Sequence, residues 1–122
     1  MRDRQFLNEN EVEAILGQWN QCRNELAEYY KTRNIEKAQP EMKKAIELFK
    51  ALLFTTNGLD PEECAIDDCK AKPVNLRERI DFISSRPKLY HSYIQLSELF
   101  AEQEKQFAKQ KALSKAKKKR PE

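Results

Sequence analysis

The sequence predicts an all-α fold, a compact bundle of about five helices whose last helix is long and ends in a basic tail. Three observations lead there. Only two glycines occur in 122 residues while charged residues make up 35%, carried mainly by Glu and Lys; helix formers therefore dominate and hairpin punctuation is scarce. Apolar residues recur at three- and four-residue intervals along most of the chain, which is the repeat of one helical face. The breaks between those runs carry helix caps and prolines. Hydrophobic residues amount to 39%, enough for one modest core in a chain of single-domain length. Residues 1–110 read as that one helical domain and residues 111–122 as the tail.

The first helix starts at Asn8, a good N-cap, and carries Val12, Ile15, Leu16, Trp19, Cys22, Leu26, Tyr29 and Tyr30 on one face. Glu9, Glu11 and Glu13 fill its first turn, where the helix dipole favours anions. Arg23 is discordant: it falls within the apolar stripe and is expected to snorkel, its stem covering apolar surface. The second helix is expected to take Pro40 in its first turn, to carry Met42, Ala45, Ile46, Phe49, Leu52 and Leu53 inward, and to stop at Asn57 and Gly58. Asp60 followed by Pro61 reads as the cap and first position of a short third helix reaching about Asp68. Asn75 with Glu78 resembles a capping box for a fourth helix with Leu76, Ile80 and Ile83 inward. Pro87 ends that helix and starts the fifth, whose expected stripe is Leu89, Tyr93, Leu96, Phe100 and Phe107. The centres of these stripes, Trp19, Leu26, Ile46, Phe49, Ile80, Leu96 and Phe100, form the predicted core.

A formal net charge of +3 conceals an asymmetry. Up to Lys70 there are ten Lys or Arg against fourteen Asp or Glu, and beyond it thirteen against six. The excess is sharpest at the end, where Lys105, Lys109, Lys111, Lys115, Lys117, Lys118, Lys119 and Arg120 occur with no acid until Glu122. A partner of that tail is expected to be anionic. No apolar stretch approaches the roughly 18 residues that span a bilayer, so no membrane partner is expected. The odd set Cys22, Cys64 and Cys69 fits reduced thiols in a cytoplasmic setting better than a disulfide framework.

The stretch Asn75–Phe100, NLRERIDFISSRPKLYHSYIQLSELF, resembles the C-terminal core of the YpoC-like family of small helical proteins from Bacillus-type bacteria. The resemblance rests on the Lys72-Pro73 step, the segment from Arg79-Ile80 to Ile83, and the Arg86-Pro87 break followed by Tyr90-His91-Ser92 and Gln95-Leu96. It implies a helical fold and a bacterial cytoplasmic setting, and it supplies no catalytic residues to carry over. Members of that family are often encoded near DNA-repair and replication proteins, which leans towards nucleic-acid work.

Candidate chemistry is sparse. Cys64 and Cys69 with Asp67, Asp68 and His91 lack the second tight ligand pair of a structural zinc site, so no metal and no other cofactor is expected. His91 is the only histidine, and helical projection places it on the solvent face with Gln95, Glu98 and Glu102. With no Gly-rich loop and no paired inward carboxylates, no catalytic residue is assigned and the protein is read as no enzyme. The better cluster surrounds Pro87, where Arg86, Lys88 and Tyr90, with Arg79 from the preceding helix, lie near a helix N-terminus that can receive an anion. The bland reading of that cluster is that its serines cap, its arginines pair with Glu78 and Asp81, and its tyrosines pack.

The tail, through Lys109, Lys111, Lys115, Lys117, Lys118, Lys119 and Arg120, would give weak, salt-dependent contact with phosphates and no base readout. The expected function is that of a non-enzymatic accessory or adaptor protein, with a protein partner on the helical body and non-specific nucleic-acid affinity in the tail. The alternative is a nucleic-acid-binding module built from the tail and the Arg86/Lys88 helix N-terminus.

Overall fold

The structure, a computed structural model, describes residues 4–119, with side-chain surroundings from 9 to 114. Among the described residues it is all-helical. Helix α1 spans Arg4–Lys31, α2 Ile35–Asn57, α3 Leu76–Ser85 and α4 Tyr90–Lys119, and a single 3-10 turn covers Ile66–Asp68. The count is four helices, and the one that is missing is the short third. Asp60 does act as a cap: its Oδ1 accepts from the Glu62 N–H at 2.9 Å and its carbonyl accepts from Glu63 and Cys64. The turn goes no further, because the Asp68 carboxylate takes the Ala65 N–H at 2.8 Å and folds the chain tightly towards Cys69, which is buried.

Three helix boundaries also move. Helix α1 begins at Arg4, ahead of the expected Asn8 cap, since no Gly or Pro stands between them to stop it, so Glu9, Glu11 and Glu13 lie beyond its first turn. Helix α2 begins five residues ahead of Pro40, at Ile35, because the Asn34 side chain accepts from the Lys37 N–H at 3.4 Å. Pro40 therefore lies inside the helix, where it donates no bond to the Glu36 carbonyl; both residues face solvent, which takes over that acceptor. Helix α4 begins at Tyr90, three residues beyond Pro87, so Leu89 is not an inward position and is 45% exposed. Asn75 adopts a left-handed conformation and its side chain makes no cap, so the expected capping box does not form.

Helices α1 and α4 run antiparallel. Trp19 stacks on Phe100 with centroids 4.0 Å apart and planes at 4°, Tyr30 meets Tyr90 and Tyr93 towards one end, and Glu9 pairs with Lys111 towards the other. Phe49 of α2 meets the edge of Phe100 at 5.4 Å, which makes Phe100 the hub of the core. All seven predicted core residues are buried, none more than 5% exposed. Arg23 is exposed, and its carbonyl accepts from the Tyr93 hydroxyl at 3.3 Å.

The inward face of α4 is more polar than its apolar residues suggest. Ser92 and Gln103 are fully buried beside Leu96, Leu99 and Phe100. Gln103 donates to Thr56 Oγ1 at 2.6 Å and to the Ala71 carbonyl at 2.9 Å, and Gln106 donates to the Lys72 carbonyl at 3.0 Å. Asn57, at the end of α2, accepts from the Lys70 and Ala71 N–H groups and donates to the Ala71 carbonyl. These amides satisfy the backbone of a segment with no regular structure, which allows it to lie against the core.

Candidate partner-docking surface

The α3–α4 corner is built by two opposed requirements. Pro87 cannot continue α3, and the chain must turn before α4 starts. The turn is held by three bonds: the Tyr30 hydroxyl donates to the Pro87 carbonyl at 2.8 Å, the Ser92 hydroxyl to the Arg86 carbonyl at 2.6 Å, and the Leu89 N–H to the same Arg86 carbonyl at 3.2 Å. Burial pushes the Tyr30 phenol up to about 12, so it stays a donor throughout the neutral range. With its main chain so fixed, the corner presents its side chains outward. Leu89 is 45% exposed and Tyr90 57%, two of the four exposed large hydrophobics among the described residues.

Cations surround them. Arg86 lies over the half-buried Phe82 ring at 4.8 Å and donates to Ser85 Oγ, while Lys88 is exposed. Gln39 of α2 lines an open groove with residues 85–89. The α1–α2 turn, with Lys31 and Arg33 exposed, lies between Tyr30 and Gln39, both of which touch the corner. Among the described residues none of Lys31, Arg33, Lys37, Arg86 and Lys88 has a carboxylate within ion-pair distance. The N-terminal half of the chain thus supplies cations to this pole. Sequence reasoning missed them, because residues 31–39 and 85–91 become neighbours only through the fold.

Of the expected anion ligands, the structure brings Arg86, Lys88 and Tyr90 together at this corner. Arg79 is elsewhere and already engaged. Its two terminal nitrogens meet both Glu102 oxygens at 2.9 and 2.8 Å, and it also donates to the Val74 carbonyl. That bidentate bond holds the guanidinium above its ordinary range and the Glu102 carboxyl below its own. Lys109 is exposed on α4; Lys111 pairs with Glu9 at 2.8 Å and lies 5.7 Å from the Phe107 ring centre. Helix α4 runs unbroken through residue 110 to Lys119, so the backbone of the tail is helical that far. The side chains of Lys115, Lys117, Lys118 and Lys119, and the whole of Arg120, lie outside the described residues.

Other chemistry is weaker. Cys22 donates to Glu41 Oε2 at 3.3 Å, and burial with that carboxylate pushes its thiol up to about 12, so it is a poor nucleophile. A second groove, lined by Phe54, Pro61, Cys64 and Ile66, has its charges paired among themselves, Lys50 with Glu47 and Arg77 with Asp67. His91 is exposed, edge-on to Phe82 and hydrogen-bonded to Gln95. No three His, Cys, Asp or Glu side chains converge as metal ligands among the described residues. No helix among them is long and apolar enough to cross a membrane.

Comparison with known proteins places these features in one family. The YpoC-like protein family matches residues 9–115, which include both the corner and most of the lysine-bearing helix. The chain is 36% identical over 108 residues to Bacillus subtilis (strain 168) "Uncharacterized protein YpoC", covering 84% of this chain and 66% of that protein, just under two thirds of its length. No solved structure matches.

Proposed function

This chain belongs to the YpoC-like protein family, and from that premise we propose that it is a non-enzymatic accessory or adaptor protein of the bacterial cytoplasm. Its helical body takes a protein partner at the α3–α4 corner, and its basic α4 end adds non-specific affinity for nucleic acid. One observation carries the reading: the exposed Leu89 and Tyr90 sit at one end of α4 and the lysine run at the other. At 1.5 Å per residue, the helix separates Tyr90 from Lys115 by about 37 Å. Two ligands can therefore be held at once without competing. Exposed Tyr and Arg side chains are those on which interface energy concentrates, and the exposed Leu89 beside them adds apolar surface. The three unpaired thiols fit a reducing compartment.

The alternative, a nucleic-acid-binding module, is supported by the exposed Lys105 and Lys109 on the outward face of α4. One experiment separates the two readings. The full-length protein is used to capture partners from its native bacterium, with and without nuclease, beside a Leu89→Asp, Tyr90→Ala variant and a chain ending at Lys111, which keeps the Glu9 bridge. The adaptor reading expects a nuclease-resistant protein partner that is lost with the corner variant and retained by the shortened chain. Duplex DNA binding by the full chain should fall with salt, with a log-log slope near −0.9 per phosphate contacted, and flatten on shortening. If every captured protein disappears with nuclease while the corner variant behaves as wild type, the adaptor reading is wrong and the module stands.

A further inference from the structure

Helices α1 and α2 end in the same way, with one difference. After α2, Gly58 is left-handed at φ 66°, its N–H bonds to the Thr55 carbonyl, and the Leu59 N–H reaches back to Phe54. After α1, Arg33 is left-handed at φ 60°, its N–H bonds to Tyr30, and the Asn34 N–H reaches back to Tyr29. Both are Schellman ends, in which the left-handed position favours glycine because a Cβ there crowds the backbone. At position 33 the fold accepts that crowding and carries an arginine. Among the described residues nothing accounts for the arginine: its side chain is exposed and has no ion pair.

We infer that the pole formed by the α1–α2 turn and the α3–α4 corner binds an acidic polypeptide segment bearing an apolar or aromatic anchor, with Arg33 among the residues that read its charge. The inference rests on the adaptor reading and specifies its partner. Charge complementarity sets the first half: Lys31, Arg33, Lys37, Arg86 and Lys88 are exposed, against Glu28 and Glu36 on the α1–α2 side and no acid between Phe82 and Ser97, so the pole is net positive. The anchor sets the second half. Leu89 and Tyr90 stand exposed beside the groove that runs to Gln39.

A nucleic acid would use the cations but has no use for the exposed aliphatic Leu89. The Arg86 carbonyl already accepts two bonds and the Pro87 carbonyl one, which leaves little main chain to pair with a ligand. Recognition therefore falls to side chains held on a fixed turn, which lowers the ordering cost of binding.

The test uses the full chain and four labelled probes of equal length: an acidic peptide of mixed Glu and Asp with a central Leu-Phe pair, the same peptide with Ser at the pair, the same with Lys for every acid, and oligo-dT. The anchored acidic peptide should bind tightest, moving backbone amide resonances over residues 31–34, at Arg86 and over 88–91 rather than those of the lysine run. Arg33→Gly should weaken it about tenfold, the scale of one charged contact, while raising the unfolding midpoint, so the loss cannot be misfolding. Leu89→Ser should abolish the preference for the anchored over the serine peptide.

Equal affinity for those two peptides, tighter binding of oligo-dT at these amides, or an Arg33→Gly protein that is more stable and binds unchanged would each overturn the inference. If a captured partner depends on Leu89 and Tyr90 while the acidic probes fail, this inference falls and the adaptor reading stands. If capture ignores the corner altogether, the adaptor reading itself falls.

Discussion

Replacing Gln103 tests how the core tolerates polarity. The side chain is fully buried, its Nε2 donates to Thr56 Oγ1 and to the Ala71 carbonyl, and its Oε1 has no hydrogen-bond partner. Gln103→Met keeps length and flexibility and removes both donors and the orphan acceptor together. Two bonds at a net of about 1 kcal/mol each are lost, and an unsatisfied buried oxygen that costs about 1–3 kcal/mol is removed. The acceptors left behind are not orphaned: Thr56 still donates to the Leu53 carbonyl at 3.0 Å, and Ala71 still accepts from Asn57 at 2.9 Å. The terms nearly cancel, so Gln103→Met should change stability by less than about 1 kcal/mol in either direction.

Gln103→Glu has the same shape and the opposite outcome. A carboxylate cannot donate to Ala71 and loses its hydration in a site of zero exposure, so it should cost several kcal/mol at neutral pH, on the order expected for a buried unpaired charge. Burial favours the protonated carboxyl, so the penalty should shrink as pH falls. Urea unfolding followed by the fluorescence of Trp19, itself buried on Phe100, measures both variants. A Gln103→Met cost above about 3 kcal/mol would refute the cancellation and mean that Oε1 has a partner such as a bound water. A neutral Gln103→Glu would refute the burial.

Phe49→Ala removes a ring that is 1% exposed and edge-on to Phe100, and should cost about 3–5 kcal/mol in the same urea experiment; a loss below 1 kcal/mol would place Phe49 on the wrong face. Gly17 lies exposed within α1, and a Cβ built there meets nothing within 4 Å, so Gly17→Ala should raise stability by about 0.5–1 kcal/mol. Destabilisation would mean that something packs on that face in solution. At high pH, the Cys22 thiol and Tyr30 phenol are raised from 9.0 and 10.0 to about 12 by burial, so the unfolded chain gives up these protons first. Their contribution is complete below about pH 9 and is lost as pH rises to 12; Cys22→Ala should flatten that fall in the denaturation midpoint.

The parts of the fold legible in the sequence were those fixed within one helical repeat. Trp19, Leu26, Ile46, Phe49, Leu96 and Phe100 are spaced so that only one face can hold them, and that face is buried. Leu89 fits the same spacing and fails because the periodicity applies only inside a helix, which starts one residue later. Gln103 had a usable signal: it lies seven residues after Leu96 and four before Phe107, squarely on the inward stripe, and only its polarity argued against burial. What no local pattern could show is pairing across the chain. Glu102 claims Arg79 from another helix, and Lys31 and Arg33 join a pole whose other half lies some fifty residues away.

That pole is set from a distance by the core. Tyr30 reaches the Pro87 carbonyl only in the register that stacks Trp19 on Phe100. A slip of α4 by one turn moves the corner about 5.4 Å along α1, which parts Tyr30 from Pro87 and separates the two groups of cations. A cavity at Phe100 should therefore loosen the basic pole as well as destabilise the fold, since the same stack aligns both.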